Sequence, residues 1–422
     1  MNIPRPQPIG LLPFPVGHLL LPETDGCADV LEQLLKGDHH VEWPPAWRFY
    51  GCALRGETAR ACRLLAESDT PLARYNRFLL QPDADDYRRL CEETSGALGI
   101  LLRAAGYAFG LDSDIPSPEQ FDGELLAIVL AAQATMQIEK DAPYEALELL
   151  EKAIDAAREP SPLLAAILLN QRGELLLSVP GGSLSQAEDH FREALRIAGE
   201  TRLPMLRAQL RINLGQTLQQ AAEGNRAVLL EAVRCYQQAL QAGVDREKCP
   251  RTYAMVHNNL GLAYMAMPTV EASDQLRMGI AVQSFRAALA VFRREEHPQY
   301  WASIQMNLAN ALQYLPSSHP AENLAQAVDA YHEVLRVRDK ALDPLGYART
   351  LLNQGNALAH LGAFREATEK LSEAYTLFHA HECKEEADTA KRLVAQIQDQ
   401  RREENLEDQR SPDDSTTLTS PA

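Results

Sequence analysis

Aromatic residues fill only 6% of the 422 positions, and basic residues are outnumbered, 41 Lys and Arg against 58 Asp and Glu. The first scarcity argues against a β-sandwich or barrel, whose strands draw on aromatic and β-branched side chains. With 45% hydrophobic residues overall, the apolar content is mostly Leu, Ala, Val and Ile, which favours helix. The second scarcity, a net charge of −17, argues against nucleic acid as a partner. Long apolar runs are missing too: with no uninterrupted stretch of about 18 apolar residues, no membrane span is expected. The apolar segment within residues 1–21 is broken by Pro4, Pro6, Pro8, Pro13 and Pro15 and lacks a basic flank, so it is not read as a secretory signal. Seven cysteines, an odd number without a Cys-x-x-Cys pair, read as reduced thiols and point to a cytoplasmic protein. No phosphate-cradling glycine motif, no His-Glu-x-x-His and no Gln-Ala-Cys occurs. Nucleotide chemistry, zinc hydrolysis and caspase-like proteolysis are therefore unsupported, and the expectation is a non-enzymatic chain with no cofactor and no metal.

What the chain does contain is a repeat. The pattern Ala-x-x-x-aromatic-x-x-Ala-Leu appears at Ala187, Phe191, Ala194 and Leu195, at Ala232, Tyr236, Ala239 and Leu240, and at Ala281, Phe285, Ala288 and Leu289. Looser copies surround Leu150, Tyr331 and Leu371. The closing residue of each copy stands at 153, 194, 239, 288, 334 and 374, so the spacing holds between 40 and 49 residues. Upstream of the copies, Asn-x-Gly or Asn-x-Ala recurs as Asn213 with Gly215, Asn259 with Gly261, Asn307 with Ala309 and Asn353 with Gly355; Gln171 with Gly173 is a divergent version. Leu206, Leu210, Leu214 and Leu218 show that these upstream halves bury one helical face. Pro162, Pro204, Pro250, Pro298 and Pro344 stand where those helices should begin, and a first turn tolerates a residue without an N–H. Each repeat is thus a helical hairpin. Its small residues let the two helices approach closely, and its aromatic or Leu is expected to fill the gap between neighbouring hairpins.

In these features residues 122–381 resemble the tetratricopeptide repeat family, because small, large and proline positions recur together in register. The family pattern sets twelve residues between the Gly of the first helix and the first Ala of the second, as from Gly355 to Ala367. The other copies are longer, and the surplus is assigned to the hairpin loops at residues 180–183, 224–225, 268–273 and 316–320. A single globular core stops growing near roughly 250–300 residues, whereas stacked hairpins need none. The resemblance therefore implies an all-α, right-handed α-solenoid of about six hairpins. A helical N-terminal region, residues 1–121, would precede it, with helical patches at 29–35, 47–66 and 86–108, a degenerate hairpin from Arg48 to Leu65, and a joint at residues 112–118. A capping helix is expected over 382–402, followed by a disordered acidic and Ser/Thr-rich tail, 403–422.

The resemblance also implies that the first helices line a concave groove. The face of the recurring Asn, with the positions four before and three after it, contains Gln171 with Glu174, then Gln209, Asn213 and Gln216, Met255 and Asn259, Ser303, Asn307 and Asn310, and Arg349, Asn353 and Asn356. One turn further come Gln219, Met265, Gln313 and Tyr314. Carboxamides carry both a donor and an acceptor, so such a row suits the alternating N–H and C=O groups of an extended peptide. The alternative role for the row is hydrogen bonding that orients neighbouring helices. Met255, Met265, Met267 and Met306 are either adaptable groove contacts or core between hairpins. A two-carboxylate clamp would need Lys and Arg at several of these positions, and only Arg349 qualifies. The expected partner is accordingly a protein or peptide segment that is not strongly acidic.

Two other readings concern the flanks. Cys27, His39, His40, Cys52, Cys62 and Cys91, and separately His379, His381 and Cys383, supply ligand-type residues at spacings that match no zinc signature. The competing function is a peptide-sensing regulator whose N-terminal module contacts DNA or an effector. Arg48, Arg55, Arg60, Arg63, Arg74, Arg77, Arg88, Arg89 and Arg103 could supply its basic face, but acidic neighbours and Trp43-Pro-Pro45 break the usual pattern.

Overall fold

The computed structural model describes residues 3–11, 18–113, 117–119, 121–268 and 275–410. Among these the backbone forms nineteen α-helices and no strand. Six short helices come first: α1 Ala28–Leu35, α2 Arg48–Leu54, α3 Thr58–Ala66, α4 Pro71–Leu80, α5 Ala84–Glu93 and α6 Gly96–Ala108. Twelve longer ones follow as successive pairs: α7 Gly123–Glu139 with α8 Pro143–Ala157, α9 Pro162–Ser178 with α10 Leu184–Gly199, and α11 Pro204–Ala221 with α12 Arg226–Gln241. Next are α13 Pro250–Ala266 with α14 Gln275–Leu289, α15 Pro298–Gln313 with α16 Pro320–Leu335, and α17 Pro344–His360 with α18 Phe364–Ala380. The last helix is α19, Lys384–Arg410. The fold is all-α and built of repeated helical hairpins. Each of the five prolines named above is the first residue of its helix, where a missing N–H costs no intrahelical bond.

Close packing inside the hairpins has a simple cause. A Cβ added at Gly173, Gly215, Gly261 or Gly355 would stand 2.6–2.7 Å from Phe191, Tyr236, Phe285 or Leu371 respectively. Each large side chain, fully or almost fully buried, occupies the hollow left by the glycine of its own hairpin. The sequence reading had placed it in the gap between hairpins. The surplus residues of the longer repeats also divide differently from expectation. Only part lies in loops, because α12 and α16 gain an extra N-terminal turn: they open six and seven residues before Ala232 and Ala327, whereas α10 and α18 open three before Ala187 and Ala367. Residues 269–273 of the assigned loops lie outside the described residues.

The chain divides into two compact units. The first comprises the described residues of Met1–Glu223 with Arg234–Gly243, and the second those of Gly224–Val233 with Val244–Ala422. One boundary between the units falls within α12; of the expected joint at 112–118, residues 114–116 lie outside the described residues. In unit 1, α6 packs directly on α7, and the extended N-terminal segment is tied to the first hairpins. Arg5 donates in bidentate fashion to the buried Glu124 at the start of α7, at 2.9 and 2.7 Å, a geometry that supports the burial of a carboxylate. Gln7 and Asn76 satisfy the backbone groups of Leu21 and Leu20 at 2.8–3.2 Å, so Leu19, Leu20 and Leu21 are buried as extended chain.

In unit 2, α19 packs on α18 and touches α17, much as α17 packs on α16 and touches α15. Its buried positions, Ala387, Ala390 and Ile397, with Leu393 and Val394 partly covered, form a single stripe. Helix α17 instead buries residues on two faces. A helix with one apolar stripe offers no second face of the kind α17 uses to meet a following hairpin. It runs eight residues beyond the expected end at Arg402, because its Glu, Arg, Gln and Leu content favours helix. Of the tail expected from residue 403, positions 411–422 lie outside the described residues.

Candidate interaction site on the first helices

Successive first helices touch within each unit: α9 with α11 in unit 1, and α13 with α15 and α15 with α17 in unit 2. The recurring asparagines stand at these contacts, and their amides bridge them. In unit 1, Asn213 donates to Asn170 at 2.8 Å and to Glu174 at 2.7 Å, and accepts from Gln209 at 3.0 Å. Only 4% of Asn213 is exposed. Both amide hydrogens and the carbonyl oxygen are engaged, so Asn213 joins helices and offers nothing to a ligand. That corrects its assignment to the groove.

Unit 2 uses the same bond more sparingly. Asn307 donates to Asn258 at 3.1 Å, Asn353 to Asn310 at 3.0 Å and Asn356 to Gln313 at 3.3 Å. Asn258 also donates to Asn259 at 3.4 Å. Gln313 donates to the Tyr331 hydroxyl, which donates to Asn310. Burial pushes the Tyr331 phenol well above its ordinary range and keeps it a donor at neutral pH. Tyr236 repeats the arrangement in unit 1, donating to Gln219 at 3.0 Å, with its phenol likewise raised by burial. The helix-orienting role and the ligand-facing role thus fall on one row. Asn307, Asn353 and Asn356 each commit one N–H to a neighbouring helix while remaining only partly covered.

The other site residues separate by exposure. Gln209, Met255, Ser303 and Arg349 are exposed, and Gln171, Gln216 and Asn259 are partly covered. Arg349 pairs with Glu386 of α19 at 3.2 Å. Met255 is 44% exposed. Met265 and Met306 are partly covered and pack against the core of α13 to α16, Met267 is buried, and Met255 is the most open of the four. Of the two roles weighed for these methionines, Met265 thus shows the packing contact while keeping part of its surface open. The sequence reading missed Asn170 and Asn258 as bridging partners. Both lie three residues before the small Gly, in Asn-x-x-Gly173 and Asn-x-x-Gly261, and that recurrence was visible.

The flanking alternatives are less well supplied. Arg55, Arg60, Arg74, Arg88 and Arg89 are each ion-paired to an acid of the same region, Glu57, Glu57, Asp69 with Glu93, Asp85 and Asp86 respectively. These five arginines form no free basic face. Among the described residues no three His, Cys, Asp or Glu side chains converge as a metal site, and no helix is long and apolar enough to cross a membrane.

No protein-family model and no curated protein sequence matches the chain. Solved structures do. The chain is similar to YrrB, described as a TPR protein with an unusual peptide-binding site, at 18% identity and a TM-score of 0.37, over 58% of this chain and 99% of that one. It is similar to the apo form of RapI at 13% identity and a TM-score of 0.47, over 84% and 97%. It is also similar to a Rap protein complexed with Competence and Sporulation Factor at 13% identity and a TM-score of 0.43, over 84% and 96%.

Proposed function

We propose that the chain is a non-enzymatic interaction scaffold whose first-helix faces bind an extended segment of a partner protein. The observation that carries this reading is the half-used amides of unit 2. After the bridges between helices are made, the carbonyl oxygens of Asn307, Asn353 and Asn356 have no partner among the described residues, and a carboxamide oxygen can accept an N–H from a peptide backbone. Exposed Met255 and Ser303 flank them with an apolar and a hydroxyl contact. Affinity would be spread over several shallow contacts and remain modest, with the apolar contact setting preference.

Replacing the asparagines themselves tests the reading poorly, because it also removes bridges between helices. Met255 and Ser303 take no part in those bridges. The double substitution Met255→Asp with Ser303→Asp should leave the melting temperature unchanged and weaken retention of a partner captured by the wild-type chain at least tenfold, measured by quantitative pull-down. Undiminished retention would remove unit 2 as the binding face.

A further inference from the structure

A cavity of about 300 Å³ opens in unit 1 among α7, α8 and α9. Thr135 and Ile138 come from α7, Leu150 from α8, and Gln171, Glu174 and Leu175 from α9. That volume is at the small end for a ligand site and is suited to one side chain. Its wall is aliphatic on one side, where Ile138 is 46% exposed. The other side holds Gln171, which makes no hydrogen bond among the described residues, and the carboxylate of Glu174. Glu174 accepts from Asn213 through Oε1 and leaves Oε2 free.

No cation belongs to the lining. The neighbouring basic residues are engaged elsewhere: Arg172 pairs with Glu151 at 3.0 Å and with His190, and Lys140 sits on Tyr107, donating to its hydroxyl at 3.3 Å. An aliphatic channel that ends in an unneutralised carboxylate is complementary to an aliphatic stem that ends in a positive charge. Resting on the reading of the first-helix faces as a peptide site, we infer that this cavity receives a lysine or arginine side chain of the bound segment. The stem lies against Ile138, Leu150 and Leu175, the cation reaches Glu174 Oε2, and the Gln171 amide accepts one further N–H. The acidic balance of the whole chain favours approach of such a segment, and added salt weakens it.

The test uses the full chain, immobilised, and a randomised nonapeptide library, with retained peptides sequenced. Wild-type protein should enrich Lys or Arg at one position. Glu174→Gln keeps the oxygen that accepts from Asn213 and removes only the charge, so its fold and melting temperature should be unchanged. It should reduce that enrichment about three- to fivefold, the range expected for a partly exposed ion pair. Ile138→Gln, at an exposed position, should reduce the same enrichment and leave other positions alone. Retained peptides without a basic preference, or with the same preference in Glu174→Gln, overturn the assignment of the cavity while the peptide-site reading stands. Failure to retain any peptide overturns both.

Discussion

The same asparagine has different duties in the two units. In unit 1, Asn213 is sealed between α9 and α11 by three hydrogen bonds, one of them to a carboxylate. In unit 2, Asn307 and Asn353 occupy the same place in their repeats, yet each makes one donated bond and stays partly open. The neighbours decide the difference. Asn170 and Glu174 of α9 and Gln209 of its own helix converge on Asn213, whereas Asn307 and Asn353 each meet a single carboxamide. A repeat therefore sets the position of a polar group, and the variable residues around it set whether that group is structural or available.

The largest expected effect tests whether unit 1 is the more tightly closed of the two. His18 is wholly buried there, and burial lowers its pKa to about 3. The folded form stays neutral while the unfolded chain takes up a proton below about 6.5. Stability from this group is therefore complete above about pH 6.5 and is lost as pH falls towards 3. Between pH 7 and 4 the wild type should lose a few kcal/mol more than His18→Gln, in urea titrations at each pH. Equal losses would show that burial of His18 does not govern acid sensitivity.

The next effect compares the two asparagine settings directly. Asn213→Ala strands partners on three side chains and should cost about 2–3 kcal/mol, while Asn353→Ala, with one bond lost, should cost about 1 kcal/mol. Hydrogen exchange on α11 and α17 would locate the loss, and equal costs would collapse the distinction between the faces. The smallest effect sharpens the same lesson inside the hairpins. Gly261→Ala drives a Cβ against the rigid Phe285 ring and should cost about 1–2 kcal/mol. Gly355→Ala meets the more adaptable Leu371, and a gain in helix propensity of about 1 kcal/mol should bring it close to neutral. Thermal melts of the two variants would rank them.

The period of the chain made the hairpins legible before any coordinates. Proline marked the starts of the first helices, and the Gly and aromatic positions marked the closest approach, because both constraints act locally and recur. The direction of the aromatic ring was not legible: Phe191, Tyr236 and Phe285 satisfy the same spacing whether they face their own hairpin or the next. Exposure was equally hidden. Asn213 and Asn353 are the same letter in the same motif, and Met255 and Met265 sit on one helix ten residues apart, one facing outward and the other packed on Phe285 and its neighbours. The N-terminal region keeps no repeat register, so the particular ties that hold it to the repeats, Arg5 to Glu124 and the direct packing of α6 on α7, were not legible: they join residues with no sequence pattern in common.

Helix α19 carries one more consequence. Within its stripe, Ala387 packs with Leu351, Ala374 and Phe378, and Ile397 with Leu371. In a chain cut before Lys384 those partners would meet water as a broad greasy end. Such an end is satisfied by whatever reaches it first, so shortening the protein by one helix should make its apparent size grow with concentration more steeply than that of the full chain.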